Sequence, residues 1–506
     1  MRFYINPRNK YIEVYGEGRE GIIIFPTWVP GSYVIRDTER YVVEIDGIRI
    51  GKNRFFVKDK FRYLIQALSK DQREAISTSD YLFINPASVF PFQTIEEEYC
   101  VKINVRWPIH TTLKKVGDWF CADNYNEFAD SPIQASPKLK LIEIDRNHKI
   151  STIDELDKPI VESLGKCTFE IDQNIFSDSS TNEYIFFFRR SDTDFGGIEH
   201  ERSSSIVISW NYKDLIRLFI HEYFHRYNVK KIRPKDLKIN YESETYTELL
   251  WVAEGLTEYI AVIVPLRTKV VKVDDTLNYI ANTLAWLTFP GIRRMSLAES
   301  SYTTWIKYYR RDNNFLNVGI SYYQLGLIVG LIMDLEMIDS GNSIYNFFRE
   351  LYKIREYTYG NVRDIAEGLG VQNIDELVFS RNPPIFNRLS KFFKLSFVDK
   401  GFPYCGLMLD NKKVTFVEDD SPADKAGIIP GDEIVGINGI SSSNLNLECK
   451  DKLELVINRE GRLIEFTIIP DGNPGHNLVI KGNGEIFKKW SGGIEYGEGK
   501  SNIRII

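Results

Sequence analysis

The 506-residue sequence predicts a multidomain α+β protein. Three observations predict it. Apolar residues alternate in short runs from the N-terminus to about residue 130, the period of half-buried strands. After Trp210 the period becomes that of helices, and around residue 397 strands and turns return. At roughly 150 residues per domain, length gives about three domains, with room for a fourth. The divisions expected are a β-rich N-terminal domain over 1–135 and a second domain over 136–396, with strands to about 210 and then helices. A small β-rich module follows over 397–472. Residues 473–506, rich in Gly, Lys and Asn, are either a mobile tail or a packed arm.

In chain order, Trp28, Pro30, Gly31 and Tyr33 sit in a Pro/Gly-punctuated segment. Val42-Val43-Glu44-Ile45, Asp46-Gly47 and Ile48-Arg49-Ile50 read as a hairpin with a tight turn. Strands continue to about Ser209 and include Tyr184-Ile185-Phe186-Phe187-Phe188. Leu215, Leu218, Phe219, Tyr223 and Tyr227 then fall at helical spacing. Further helices are expected over 249–264, 322–337, 344–354 and 362–369, the last stopped by Gly370.

Composition excludes several classes. With 43% hydrophobic and 26% charged residues the chain is ordinary for a globular protein, not collagen-like, low-complexity or disordered. Lys+Arg is 64 against 70 Asp+Glu, a net charge of −6, so nucleic acid and anionic membrane are not expected as main partners. Five scattered cysteines with no CxxC pair read as free thiols in a reducing compartment. The N-terminus lacks the apolar core of a secretory signal. The most apolar stretch, 326–338, is short of about 20 residues and interrupted by Asp334 and Glu336, so no membrane span is expected. A cytoplasmic location is the expectation.

The strongest chemical signal is His221-Glu222-Tyr223-Phe224-His225, an HExxH motif within an expected helix. At about 100° per residue the two histidines lie roughly 40° apart, one turn separated, and both imidazoles can meet one metal ion. Glu222, about 60° round from His225, can reach a water without ligating the metal. A divalent metal brings the pKa of a bound water toward about 7, and a carboxylate can then take the proton. Two of the chain's six histidines fall in this motif, which makes a chance pair less frequent. A hydrolytic zinc site needs a third protein ligand and an open position. Glu254 is the candidate, because apolar Trp251, Val252 and Leu256 make its helix a buried one, where an unpaired carboxylate is costly. Glu258, one turn on, reads more readily as an exposed charge than as support for the site.

The stretch from His221 to Pro234, HEYFHRYNVKKIRP, closely resembles the zinc helix of the glycyl aminopeptidase family, gluzincins with a C-terminal PDZ domain. Trp28-Val29-Pro30-Gly31-Ser32-Tyr33 resembles the family's W-x-P-G-S-Y signature, Gly196-Gly197-Ile198-Glu199-His200 its G-G-x-E-H segment, and Trp251 to Tyr259 its third-ligand helix. The resemblance implies a thermolysin-like catalytic domain and one catalytic zinc held by His221, His225 and Glu254, with Glu222 as general base. It implies that Glu199 anchors the substrate's α-amine and that Gly196 and Gly197 let a peptide strand approach closely. Tyr322-Tyr323-Gln324-Leu325-Gly326 resembles the Y-x-K-G segment whose tyrosine stabilises the oxyanion, with Leu325 where lysine is usual. Tyr323 matches that tyrosine, and Tyr322 is the alternative.

Gly406-Leu407-Met408-Leu409, followed by the run from Ser421 to Ile434 and Gly436-Ile437-Asn438-Gly439, resembles a PDZ domain of the bacterial protease type. Its Gly-Leu loop would offer N–H groups to a peptide C-terminus. The Pro430-Gly431-Asp432 stretch reads as a turn, and Ala426-Gly427 as a tight packing contact. A brace against the catalytic domain is the equal alternative to peptide binding. The function expected is zinc-dependent removal of small N-terminal residues from peptides with a free N-terminus. The alternatives are a PDZ-assisted endopeptidase and a silent peptide-binding scaffold.

Overall fold

A computed structural model describes residues 1–178, 182–208, 214–441 and 447–506. They form two compact units, Met1–Tyr246 with Leu351–Tyr357, and Thr247–Glu350 with Thr358–Ile506. The fold comprises an N-terminal β-rich domain, a mainly helical middle region and a C-terminal PDZ-like β domain.

In the first unit, Arg2–Arg8 lies antiparallel to Tyr11–Glu17 and parallel to Tyr99–Ile103 within a seven-stranded sheet. Alternation puts Phe3, Ile5, Ile12 and Val14 on the buried face, each 0% exposed, where they join Phe25, Tyr63, Phe90 and Phe128 in one core. The expected hairpin does not form. Val42–Ile45 pairs with Lys60–Gln66, whereas Ile48–Arg49 pairs with Arg54–Val57 in another sheet. Asp46 N–H donates to the carbonyl of Arg62 (2.8 Å), so the chain changes sheets at Asp46-Gly47 instead of turning back on itself.

A second, five-stranded sheet runs in the order Lys140–Glu143, His148–Thr152, Tyr184–Arg190, Ser203–Ile208, Gly196–Glu199. Between its strands lies a helix the alternating pattern concealed, Lys158–Phe169, continued by a π-helical turn over Glu170–Ile175. Its signals were Pro159 in the first turn and buried Leu164, Cys167, Ile171 and Ile175 at helical spacing. The expected change of period at Trp210 lies outside the described residues.

The cysteine reading is corrected. Cys100 bonds to Cys121 and Cys405 to Cys449, and buried Cys167 is in neither disulfide. Cys100 and Cys121 are direct partners on antiparallel strands, a pairing that sequence spacing does not reveal.

In the second unit the helices Leu256–Arg267, Val273–Trp286 and Tyr322–Asp339 are extensively buried. Asp334 and Glu336, which interrupt the apolar stretch, are buried as pairs. Asp334 accepts from Arg267 (2.6 Å) and Tyr259 (2.5 Å), and Glu336 from Arg388 (2.9 Å). Gly370 follows Tyr359–Gly368 at φ 112°, a stop only glycine takes readily.

The PDZ-like sheet runs Leu407–Asp410, Lys413–Val417, Glu433–Ile437, Leu453–Arg459, Arg462–Ile468. Gly427 ends its short helix Pro422–Ala426 at φ 89°, and a Cβ there would meet Phe466 only at 3.6 Å. Backbone conformation, not tight packing, therefore selects that glycine. After the module, Leu478–Asn483 pairs with both Phe393–Phe397 and Tyr496–Lys500, and buried Trp490 donates its indole N–H to Tyr259 (2.9 Å). Among the described residues no helix is long and apolar enough to cross a membrane.

Candidate active site

His221 and Glu222 lie in the last turn of the helix Leu215–Phe224, and His225 caps it. Phe219, Ile220, Tyr223 and Phe224 are fully buried, so the hydrophobic stripe fixes which way the polar residues face. A hydrogen-bond network braces the same helix. The Tyr223 hydroxyl donates to Asp172 (2.6 Å) and lies 2.7 Å from His148 Nε2, while Tyr227 donates to Asp172 (2.7 Å) and Asp178 (2.9 Å). Helical periodicity marked Tyr223 and Tyr227 as apolar positions. Their hydroxyls, and the partners His148 and Asp172, belong to no local motif.

His225 Nδ1 is 2.8 Å from the carbonyl of Asn228, to which it donates, so Nε2 carries the lone pair. His225 Nε2 stands 3.1 Å from His221 Nε2. Two nitrogens each about 2.0–2.1 Å from one tetrahedral zinc are about 3.3 Å apart, so the pair fits such an ion. Glu222 is 5% exposed. Carboxylate oxygens of Glu199 and Glu222 and a ring nitrogen of His225 all lie within 4.8 Å of one another.

Glu199 ends the edge strand Gly196–Glu199 and is 3% exposed, with Oε1 lacking a hydrogen-bond partner among the described residues. A buried, unpaired carboxylate oxygen is costly and marks a place for a cationic group. Two motif glycines make room for the carboxylates. At Gly31 a Cβ would stand 2.5 Å from Glu199 Oε2, and φ there is 94°. At Gly197 a Cβ would stand 2.2 Å from Glu222 Oε1. The space beside Gly197 is thus taken by the general-base candidate. Gly196, at φ 147°, faces Gln72, whose Nε2 would be 3.0 Å from a Cβ.

Glu199 borders a cleft of ≈ 320 Å³ lined also by Trp28, Gly31, Tyr33, Lys230 and Tyr241. The W-x-P-G-S-Y segment is pinned beside it by the Trp28 indole, which donates to the carbonyl of Asn240 (2.5 Å), and by Thr27 N–H to Tyr241 O (2.7 Å). Asp130, which sequence reasoning missed, accepts from Lys230 (2.8 Å) and the Glu201 N–H (2.7 Å) and lies 3.0 Å from His200 Nδ1. Burial alone would raise its carboxyl, but Lys230 and His200 outweigh burial and hold it at about 2.

In the second unit Glu254, 2% exposed, sits on a π-helical turn, Trp251–Gly255, ahead of the helix Leu256–Arg267. Such turns recur at functional positions. Glu258 is buried and accepts from Tyr279 (2.6 Å), so it is not the exposed charge expected. Gly255 meets the helix Tyr322–Asp339 at Gly326, where a Cβ would stand 2.7 Å from Gly326 Cα and 2.7 Å from the Tyr322 carbonyl. The Tyr322 and Tyr323 rings are 4.5 Å apart; Tyr322 is fully buried, and the half-buried Tyr323 hydroxyl is 3.3 Å from that of Tyr309. Burial first, and the Glu254 charge next, push the Tyr323 phenol well up, which keeps it a hydrogen-bond donor. Gly406 and Leu407 are buried and Met408 and Leu409 half-buried on the edge of the PDZ-like sheet.

The chain matches the family model for M61 glycyl aminopeptidase over residues 214–329, that for the peptidase M61 N-terminal domain over 12–137, and a PDZ domain over 413–469. The class of protein that the first match resembles is that of the aminopeptidases. The particular family resembled is the M61 glycyl aminopeptidases. The fold is similar to a crystal structure of an aminopeptidase N family protein from Idiomarina loihiensis, with a TM-score of 0.87 and 20% identity, covering 97% of this chain and 99% of that one. Looser likenesses are leukotriene A4 hydrolase from Saccharomyces cerevisiae (TM-score 0.43, 12% identity, 76% and 68% covered) and an M1 zinc metallopeptidase from Deinococcus radiodurans (0.42, 8%, 73% and 89%). No curated protein matches the chain.

Proposed function

We propose that the chain is a zinc-dependent aminopeptidase that removes small residues, glycine or alanine, from peptides with a free N-terminus. The carrying observation is the buried Glu199 carboxylate, one oxygen unpartnered, gathered with Glu222 and His225 inside 4.8 Å. His221, His225 and Glu254 would hold the ion, a donor set suited to zinc. When bound, such an ion polarises a peptide carbonyl and acidifies water. Glu222 takes a proton from the attacking water and returns it to the leaving amine. Glu199 receives the substrate α-ammonium by charge-assisted hydrogen bonding and so sets the scissile bond one residue from the N-terminus. Tyr323, or the neighbouring Tyr322 as the alternative, donates its phenolic proton in a hydrogen bond to the developing oxyanion. Disulfides persist in oxidising settings, so the two pairs count against the cytoplasmic location expected from the sequence.

The test is hydrolysis of Gly-Ala-Ala-Phe by zinc-loaded protein, with the N-terminus free or acetylated. Cleavage of the free form alone is expected. Equal cleavage of both would overturn the aminopeptidase reading in favour of an endopeptidase. Glu222→Gln is expected to keep stoichiometric metal and lose turnover; a variant that still turns over removes Glu222 as the base.

A further inference from the structure

We propose that the peptide groove of the PDZ-like domain is filled in cis by the chain's own segment 501–506, and that a peptide C-terminus enters only by displacing it. The Ile506 backbone oxygen accepts from three consecutive N–H groups, Cys405 (3.1 Å), Gly406 (2.7 Å) and Leu407 (3.2 Å). The Ile506 N–H donates back to the Leu407 carbonyl (2.9 Å). Exchange of both bonds with Leu407 is the pattern of an antiparallel strand pair. Leu407–Asp410 is an edge strand of its sheet, so the segment occupies the edge to which a peptide would add. The Ile506 side chain packs on the cluster formed by Leu407, Val414 and Ile457.

The receiving loop is built for a negative or strongly accepting oxygen. Successive N–H groups converge on one point, as in backbone anion nests. Gly406 sits at φ 83°, with Ser421 Cβ only 2.2 Å from where its own Cβ would be, so no side chain fits there. Cys405 is tied to Cys449 by a disulfide. The segment is guided to the loop by its own contacts. Ser501 N–H donates to the Leu478 carbonyl (3.0 Å), and Ile503 exchanges bonds with the Asn477 side chain at 2.7 and 2.9 Å. The ligand chemistry is therefore a peptide ending in an aliphatic residue with a free carboxylate, which would strengthen the three N–H bonds by its charge. A short tether holds its segment at an effective concentration on the order of millimolar. A peptide that binds the open groove with a Kd of tens of micromolar is then weakened about 10- to 100-fold in the intact chain.

The probe is the pentapeptide Asn-Ile-Arg-Ile-Ile, fluorescein-labelled at its N-terminus, with a C-terminal carboxylate or amide, read by fluorescence anisotropy. A chain shortened after Ile503 is expected to bind the carboxylate form at least tenfold more tightly than the intact chain, and the amide weakly. Equal affinity of intact and shortened chains, no binding by a folded shortened chain, or equal binding of acid and amide would each overturn the proposal. Hydrogen exchange of the Gly406 and Leu407 amides in the intact chain needs no variant. Protection is expected, and exchange at the rate of an open loop also overturns it. Neither readout depends on peptidase activity, so failure here is distinct from failure of the catalytic reading.

Discussion

Replacing Gly197 with alanine tests where the general base stands. The new Cβ would lie 2.2 Å from Glu222 Oε1, 2.3 Å from its Cδ and 2.4 Å from its Cγ, whereas ordinary contact begins near 3.4 Å. The strand has little room to yield. Gly197 pairs with Ile206, and the Arg73 guanidinium donates to its carbonyl (2.9 Å). The Glu222 carboxylate must therefore retreat by about 1 Å or more. A misplacement of about 1 Å costs a catalytic group about 10²-fold, and complete loss of a general base 10²- to 10⁴-fold. The expected outcome is a kcat lower by about 10²-fold. KM should change by no more than about threefold, because Glu199 and its cleft are untouched. Steady-state hydrolysis of Gly-Ala-Ala-Phe by zinc-loaded wild type and variant, with bound metal measured on each, checks this. A folded, metal-replete variant with kcat within threefold of wild type would refute the placement of Glu222 against Gly197.

Three further outcomes are expected. The folded Asp130 carboxyl, at about 2 against 3.8, contributes stability that is present above pH 4 and lost as pH falls toward 2. The urea-unfolding deficit of Asp130→Asn relative to wild type should thus shrink by about 2 kcal/mol over that window, and a deficit independent of pH would contradict it. Gly255→Ala should lower stability by about 1–3 kcal/mol and reduce bound metal, because its Cβ meets backbone that cannot rotate away; unchanged thermal unfolding would show that the two helices separate freely. Denatured, unreduced protein should show one reactive thiol, Cys167, and five after reduction, whereas five before reduction would exclude both disulfides.

What was legible in the sequence follows the range of each interaction. HExxH could be read because ligation at i and i+4 is a property of one helix turn, and the turn forms where the periodicity says. The helix Ile344–Ile354 was bounded correctly for the same reason. Strand partners were not legible. Val42–Ile45 and Ile48–Arg49 look like two arms of a hairpin, yet each finds a better partner in a different sheet. Cys405 and Cys449 are 44 residues apart with no motif between them. Glu258 looked exposed because the Tyr279 hydroxyl that satisfies it arrives on another helix. Asp130 and Lys230, 100 residues apart, are joined only by the folded first unit.

The motif glycines show how a local signature can hold non-local information. Gly31, Gly197 and Gly255 each stand where a single methyl group would occupy the place of something else. That neighbour is Glu199 for the first, Glu222 for the second and the Tyr322–Gly326 backbone for the third. Only Gly31 among them also has a positive φ, so turn geometry alone does not select these residues. Gly31 and Gly197 set the distance between backbone and a buried carboxylate, and Gly255, next to Glu254, sets the distance between two helices. A carboxylate held in this way has few alternative rotamers, because the wall against it is backbone. Preorganisation of the proposed site thus comes in part from side chains that are absent. Adding one methyl group at Gly197 should consequently act on rate more than on fold, whereas the same change at Gly255 should act on both.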